Sequence, residues 1–246
     1  TPIRMKARPK TERAYSFLGV GAPAFSGSKN ASSVAFNELS RMARNNKSLL
    51  ADLKPLPGAK AELEALASND LFEETTLLMG SNATVAAVLD HPKLPHASVI
   101  SFATHGILQG QIDDIFEPGL ALSPASDEER NSNGFLGLTD VLELRLSSEV
   151  VILSACDTAS SRSAYSPPLS GLASAFLAAG SEKVIASSWE VEDTATKLFM
   201  TNLVEERALG KGWSAAKRGA IKRLRTEHPA YSHPYYWAPF LIFSSM

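Results

Sequence analysis

A mostly parallel α/β sheet flanked by helices on both faces is the fold class the sequence predicts, and two observations predict it. Short apolar, β-branched runs alternate along the chain with stretches of helical periodicity. Several of those runs are continuously apolar rather than alternating, as strands buried on both faces must be.

In chain order the strand candidates are Tyr15–Val20, Thr75–Met79, Ser98–Thr104, Gly119–Leu122, Val150–Ala155, Lys183–Ser188 and Phe240–Phe243. Helices fill the gaps between them. Asn82 is the expected N-cap of a short helix whose Val85, Val88 and Leu89 share a face. Leu172, Ala175, Phe176 and Ala179 stand at i, i+3, i+4 and i+7, and Gly180 follows as a C-terminal stop. Ala195, Leu198, Phe199 and Leu203 form a second stripe that ends near Gly210. Ser214 is the expected cap of a third helix, with Ala220, Ile221 and Leu224 inward and Lys217, Arg218, Lys222 and Arg223 largely outward. Pro124–Gly134 and Thr158–Ser170 read as long surface loops, which in compact domains are usually functional or disordered.

Composition bounds the function. The 246 residues suit one large domain from residue 14 to 246, preceded by a basic lead-in or linker over residues 1–13. A chain beginning at Thr1 suggests a piece of something longer. The net charge of −2 gives no general reason to expect nucleic acid or an anionic membrane as a direct partner. No apolar run approaches the ~18–20 residues of a membrane span, and Phe17–Val20 is too short for a signal-peptide core. The single cysteine, Cys156, excludes an internal disulfide, a zinc ribbon, and an iron–sulfur cluster held by this chain alone. A reducing, cytoplasmic setting with no cofactor is the expectation. Gly19-Val20-Gly21-Ala22-Pro23-Ala24 formally fits a dinucleotide fingerprint. Pro23 removes a donor from the would-be phosphate cradle, however, and no acidic strand end follows about 20 residues on. His91, His96, His228 and His233 flank prolines without metal-ligand partners at suitable spacing, so no metal site is expected.

Two residues carry the chemistry. Cys156 follows the buried run Val150–Ala155, at the carboxyl end of a strand, which is the edge where open α/β sheets bind ligands. A lone cysteine is more often a small buried hydrophobe than a nucleophile. His105, however, follows the run Val99–Thr104 in the same way and precedes Gly106. If those strands are neighbours, about 4.8 Å apart, an imidazole and a thiol reach one substrate carbonyl. The histidine would take the thiol proton and later protonate the leaving amine. The N–H groups of Gly106 and Cys156 would then stabilise the oxyanion.

The blocks Ser101-Phe102-Ala103-Thr104-His105-Gly106 and Val151-Ile152-Leu153-Ser154-Ala155-Cys156-Asp157-Thr158 strongly resemble the CHAT family, caspase-like domains usually attached to tetratricopeptide repeats. Weaker landmarks follow in order along most of the chain: Leu18–Gly21, Leu56–Ala59 with Glu62, Gly171–Ala173, Ser187–Asp193 and His233–Phe240. The resemblance implies a caspase-like fold and a cysteine endopeptidase of the caspase, separase and gingipain clan. Its dyad would be His105 and Cys156, its substrate a protein, and its regulator a partner or an attached tetratricopeptide-repeat domain. No acidic partner for His105 is evident, and relatives in this clan do without one. The competing reading is a catalytically idle module for protein interaction or signalling. An esterase or acyl transferase using the same dyad has less to support it.

Trp189-Glu190-Val191-Glu192-Asp193 should overhang the site, and Asp157 directly follows the nucleophile. Asp157, Trp189, Glu192 and Asp193 are therefore the substrate-binding candidates. Carboxylates there would favour a basic residue before the scissile bond, although Asp193 is equally suited to capping the next helix, and an apolar pocket floored by Trp189 is the alternative.

Overall fold

The computed structural model describes residues 15–25, 50, 53–108, 115–125, 133–154 and 170–245. Its strands are β1 (Tyr15–Pro23), β2 (Phe72–Gly80), β3 (Val99–Ala103), β4 (Gly106–Ile107), β5 (Gly119–Ala121), β6 (Phe135–Gly137), β7 (Val150–Leu153), β8 (Lys183–Ser187) and β9 (Phe240–Ser244). Its helices are α1 (Pro57–Ala67), α2 (Val85–Leu89), α3 (Leu138–Glu143), α4 (Ser170–Ala178), α5 (Asp193–Ala208) and α6 (Trp213–Glu227).

The main sheet has six strands in the order β2-β1-β3-β7-β8-β9. Every pairing in it is parallel except the last, where β9 lies antiparallel to β8. The sheet separates two apolar layers, and each central strand feeds both. Along β7, Val150 and Ile152 join the core beneath α1, α5 and α6, whereas Val151 and Leu153 join the core beneath α2 and α4. All four residues are buried, which explains the unbroken apolar run. The predicted fold class is the observed one: a mostly parallel sheet with helices on both faces. A second, antiparallel sheet, β4-β5-β6, stands beyond the end of β3.

Two helix starts differ from expectation. Thr84, not Asn82, caps α2, because its extended backbone brings the hydroxyl to the Ala87 N–H at 3.1 Å. Asn82 instead belongs to the turn after β2, where its N–H donates to Met79. Helix α6 starts two residues earlier than expected, with Gly212 as its N-cap and Ser214 inside the first turn. Burial of Trp213 as the first helical residue sets that start. Gly180 and Gly210 do follow their helices, at φ of 115° and 83°, the left-handed conformation that suits glycine. The lead-in 1–13, most of Pro124–Gly134, and Thr158–Ser170 apart from its last residue lie outside the described residues.

A polar cluster closes the amino edge of the sheet. Glu149, just before β7, accepts from Arg207 Nη2 on α5 at 2.9 Å and from Trp213 Nε1 on α6 at 2.8 Å. Arg207 also donates to the Tyr15 hydroxyl at the start of β1. Burial alone would raise the Glu149 pKa, but the hydrogen bonds from Tyr15, Arg207 and Trp213, with the Arg207 charge, hold it below the ordinary value. On the side facing α1, the Gly58 N–H in its first turn donates to Asp193 Oδ2, the first residue of α5, at 3.0 Å. Gly58 is required there by close approach: an added Cβ would stand 2.5 Å from the Asp193 Cβ.

Two stability experiments follow. Glu149→Gln should lower unfolding free energy by about 1–3 kcal/mol at neutral pH, read by urea denaturation. A depressed carboxylate contributes its stability above the unfolded value of 4.5 and loses it as pH falls through the folded pKa, so the gap between variant and wild type should narrow on acidification. A gap that widened toward low pH would contradict the assignment. Gly58→Ala should cost about 1–3 kcal/mol through overpacking against α5, and an unchanged urea midpoint would show that the α1–α5 junction yields freely.

Candidate functional site

The pairing of β3 with β7 builds the site. Their register runs from Val99 opposite Val150 to Phe102 opposite Leu153, so the two strands end level. The ladder continues one step further, with the Ser154 N–H donating to the Phe102 carbonyl at 2.9 Å. The chains that lead to His105 and to Cys156 therefore leave the sheet side by side. Cys156 and Asp157 themselves lie outside the described residues.

His105 is held from two directions. Its carbonyl accepts the Ala121 N–H at 2.9 Å, and the neighbouring Thr104 hydroxyl donates to the Ala121 carbonyl, which fixes this backbone against β5. Its ring lies 5.7 Å from the Phe25 ring, centroid to centroid, and is almost fully buried. Nε2 is 2.7 Å from the Lys54 carbonyl oxygen. A carbonyl only accepts, so Nε2 carries hydrogen and Nδ1 is the basic nitrogen of the neutral ring. The third group that orients the histidine is thus a backbone carbonyl, which no side-chain pattern announces.

Gly106 opposes Leu120 in the β4–β5 hairpin. The adjacent bond runs from Ala121 N–H to His105 carbonyl, so Gly106 occupies a non-hydrogen-bonded position. Its N–H is directed away from β5.

Beside His105 opens a pocket of about 570 Å³. Its walls come from the segment before α1, from α1 itself, from the ends of β3, β7 and β8, and from the start of α5. Glu62 on α1 lines it and is only 4% exposed. Among the described residues, neither Glu62 Oε1 nor the Ser154 hydroxyl closes a hydrogen bond of ordinary geometry. Burial pushes the Glu62 carboxyl up to about 7; the nearby Ser154 hydroxyl lowers it in part, and the Asp193 charge raises it.

The substrate-binding candidates separate. Asp193 lines the pocket while holding the Gly58 N–H. The cap of α5 is Glu192, not Asp193: its carboxylate accepts from the Thr194 and Ala195 N–H groups, and the bonds with Thr194 hold it below the ordinary range. Trp189 is 37% exposed, stands outside the pocket lining, stacks obliquely on Tyr235 at 6.4 Å and donates from Nε1 to the Tyr235 carbonyl at 3.0 Å. Sequence reasoning did not single out Glu62 or Lys54 as site residues. Glu62 carried one legible signal, a carboxylate in the stripe Ala59, Glu62, Leu63 and Leu66 that α1 buries. Among the described residues, no group of three or more histidine, cysteine, aspartate and glutamate side chains could hold a metal ion, and no helix is long and apolar enough to cross a membrane.

Comparison with known proteins adds the family. The chain is 36% identical over 110 residues to tetratricopeptide repeat protein 28 of Mus musculus, a match covering 45% of this chain and 4% of that protein. The Homo sapiens protein of the same name is 34% identical over 110 residues, with the same coverage of 45% and 4%. The matched region is thus a small fraction of those relatives' length. Among solved structures, the Arg-specific cysteine proteinase gingipain R is 10% identical with a TM-score of 0.49, covering 94% of this chain and 46% of that one. The CHAT domain family model matches residues 3–245, and the chain belongs to the CHAT domain family.

Proposed function

We propose that this CHAT domain is a caspase-like cysteine endopeptidase whose nucleophile is Cys156 and whose general base and acid is His105. The observation that carries the reading is the level ending of β3 and β7, with His105 two residues past one strand and Ser154 directly after the other. Cys156 lies two positions beyond Ser154, at most about 7 Å of extended chain. His105 Nδ1 takes the thiol proton, and the thiolate sulfur attacks the scissile carbonyl carbon. The C–N bond then breaks as the same proton passes to the leaving amine, giving a free amine and a thioester. Water, deprotonated by His105, hydrolyses the thioester to a carboxylate and returns the thiol. The oxyanion is stabilised by the Gly106 and Cys156 N–H groups. The orientation of the Gly106 N–H away from β5 supports that role.

In this reading Asp193 forms the substrate-side wall, and Asp157 is a substrate-binding candidate from its place next to Cys156 in the sequence. Glu192 and Trp189 shape the rim through the start of α5 and the Tyr235 contact. The substrate is a protein, and the likeness to tetratricopeptide repeat proteins supports regulation by a partner or attached domain of that kind. A lone thiol nucleophile suits the reducing cytoplasm.

Comparing protein N-termini generated by wild type and by Cys156→Ala, in the presence of the repeat partner, tests the reading. New termini should vanish with Cys156→Ala and fall by about 10³-fold or more with His105→Ala, because residues acting as one unit are strongly non-additive. Full proteolysis by Cys156→Ala would overturn the mechanism. The Cys156 thiol should also alkylate faster near neutral pH than an ordinary thiol of pKa about 8.5, and this advantage should disappear with His105→Ala. A thiol still inert with the partner bound would favour an idle interaction module.

A further inference from the structure

Glu62 is difficult to explain as a structural residue. It occupies a position in the apolar stripe of α1 between Ala59 and Leu63, where leucine or methionine would pack without desolvating a charge. Its carboxyl is buried, faces an open pocket, and closes no ordinary hydrogen bond at Oε1 among the described residues. Carboxyls taken from water to serve structure are normally satisfied, as half-buried Glu149 is at the opposite edge of this sheet. Among the described residues, the charged and titratable groups that share the pocket with Glu62 are Asp193 from α5, Glu190 before α5, His105 after β3 and Lys54 before α1. Three of those five groups are carboxyls, and Lys54 is exposed. Among the described residues that line it, the pocket thus has no buried lysine or arginine, and it holds a carboxyl with capacity for a cation.

Resting on the dyad reading above, we propose that this pocket receives the side chain of a lysine or arginine on the acyl side of the scissile bond, with Glu62 as its counter-ion at the buried end. Asp193 contributes a second negative charge but is already engaged by the Gly58 N–H, so Glu62 is the principal specificity-determining group. A guanidinium or ammonium supplies the donors that Glu62 Oε1 and the Ser154 hydroxyl can accept. An aspartate at that substrate position would add a further carboxyl to the pocket and be rejected. The acid is neutralised near pH 7, so the pocket should gain affinity for a cation as pH rises from 6 to 8.

The test separates this pocket from the dyad. Binding of n-butylguanidinium and of its neutral analogue n-butylurea is titrated by calorimetry into the Cys156→Ala chain, which removes the chemistry and keeps the pocket. The cation should bind in preference to the urea, more tightly at pH 8 than at pH 6, and about 10- to 100-fold more weakly after the further change Glu62→Gln. Glu62→Asp should restore part of the discrimination if that variant keeps wild-type near-ultraviolet circular dichroism. Equal binding of cation and urea, no saturable binding of the cation, or cation binding untouched by Glu62→Gln would each overturn the proposal. With the Cys156 chain, peptides bearing arginine, lysine, norleucine or aspartate before the scissile bond should be cleaved in favour of the basic pair, and Glu62→Gln should level arginine with norleucine. Loss of all cleavage with cation binding intact would remove the dyad and leave the pocket. Cleavage that favours norleucine or aspartate in the wild type would remove the pocket and leave the dyad.

Discussion

Everything at the site hangs on the parallel pairing of β3 with β7. Both strands are buried on both faces, so their register is strongly specified: a slip of one residue would exchange the side chains meant for α1, α5 and α6 with those meant for α2 and α4. Phe102, for example, packs on Phe176 of α4 at 5.5 Å between centroids, whereas its neighbour Ala103 belongs to the opposite core. Core packing thereby fixes where the strands end. The ends can host chemistry because backbone ladder bonds stop there and polar groups such as His105 and Ser154 reach a cavity.

The two edges of the sheet show what environment does to one functional group. Glu149 at the amino edge and Glu62 at the carboxyl edge are both glutamates beneath the α1–α5–α6 layer. Glu149 meets an arginine, an indole N–H and a phenol, and its pKa falls despite partial burial. Glu62 meets a serine hydroxyl and another carboxylate, and its pKa rises to about 7. A charge-assisted hydrogen bond contributes about 1.5–3 kcal/mol, whereas an unpaired buried ion is disfavoured by several kcal/mol. The first arrangement ties β1, β7, α5 and α6 together. The second opposes stability, which is why a role in ligand binding explains it better than a role in folding.

Much of this was legible in the sequence, and the rest was hidden for physical reasons. The seven strand candidates correspond to seven of the observed strands, because runs such as Val150–Leu153 have no alternative to double-sided burial. Strand β4 carries only two residues, too few for a periodic signal. Helix α1 was visible only as the motif Leu56–Ala59, since Pro57 at its first position marks a start but its apolar stripe is interrupted by Glu62. That interruption is the one signal of the pocket that the sequence carried and that sequence reasoning passed over. His105 and Gly106 could be named from residue type and strand-end position. The orienting Lys54 carbonyl could not, because any residue supplies a carbonyl and only the path of the backbone aims it.

That path makes α1 the mechanical link of the site. The segment ending at Leu56 brings the Lys54 carbonyl to His105, Glu62 supplies the carboxyl of the pocket, and the first turn is tied to α5 through Gly58 and Asp193. Leu63 and Leu66 anchor the same helix in the core with no exposed surface. A shift of α1 therefore moves the histidine's hydrogen-bond acceptor and the pocket's buried charge together, whereas a shift of β5 acts on His105 through its backbone alone. Orientation of the imidazole and acidity of the pocket are thus tied to the placement of one helix, which the Gly58–Asp193 bond fixes against α5.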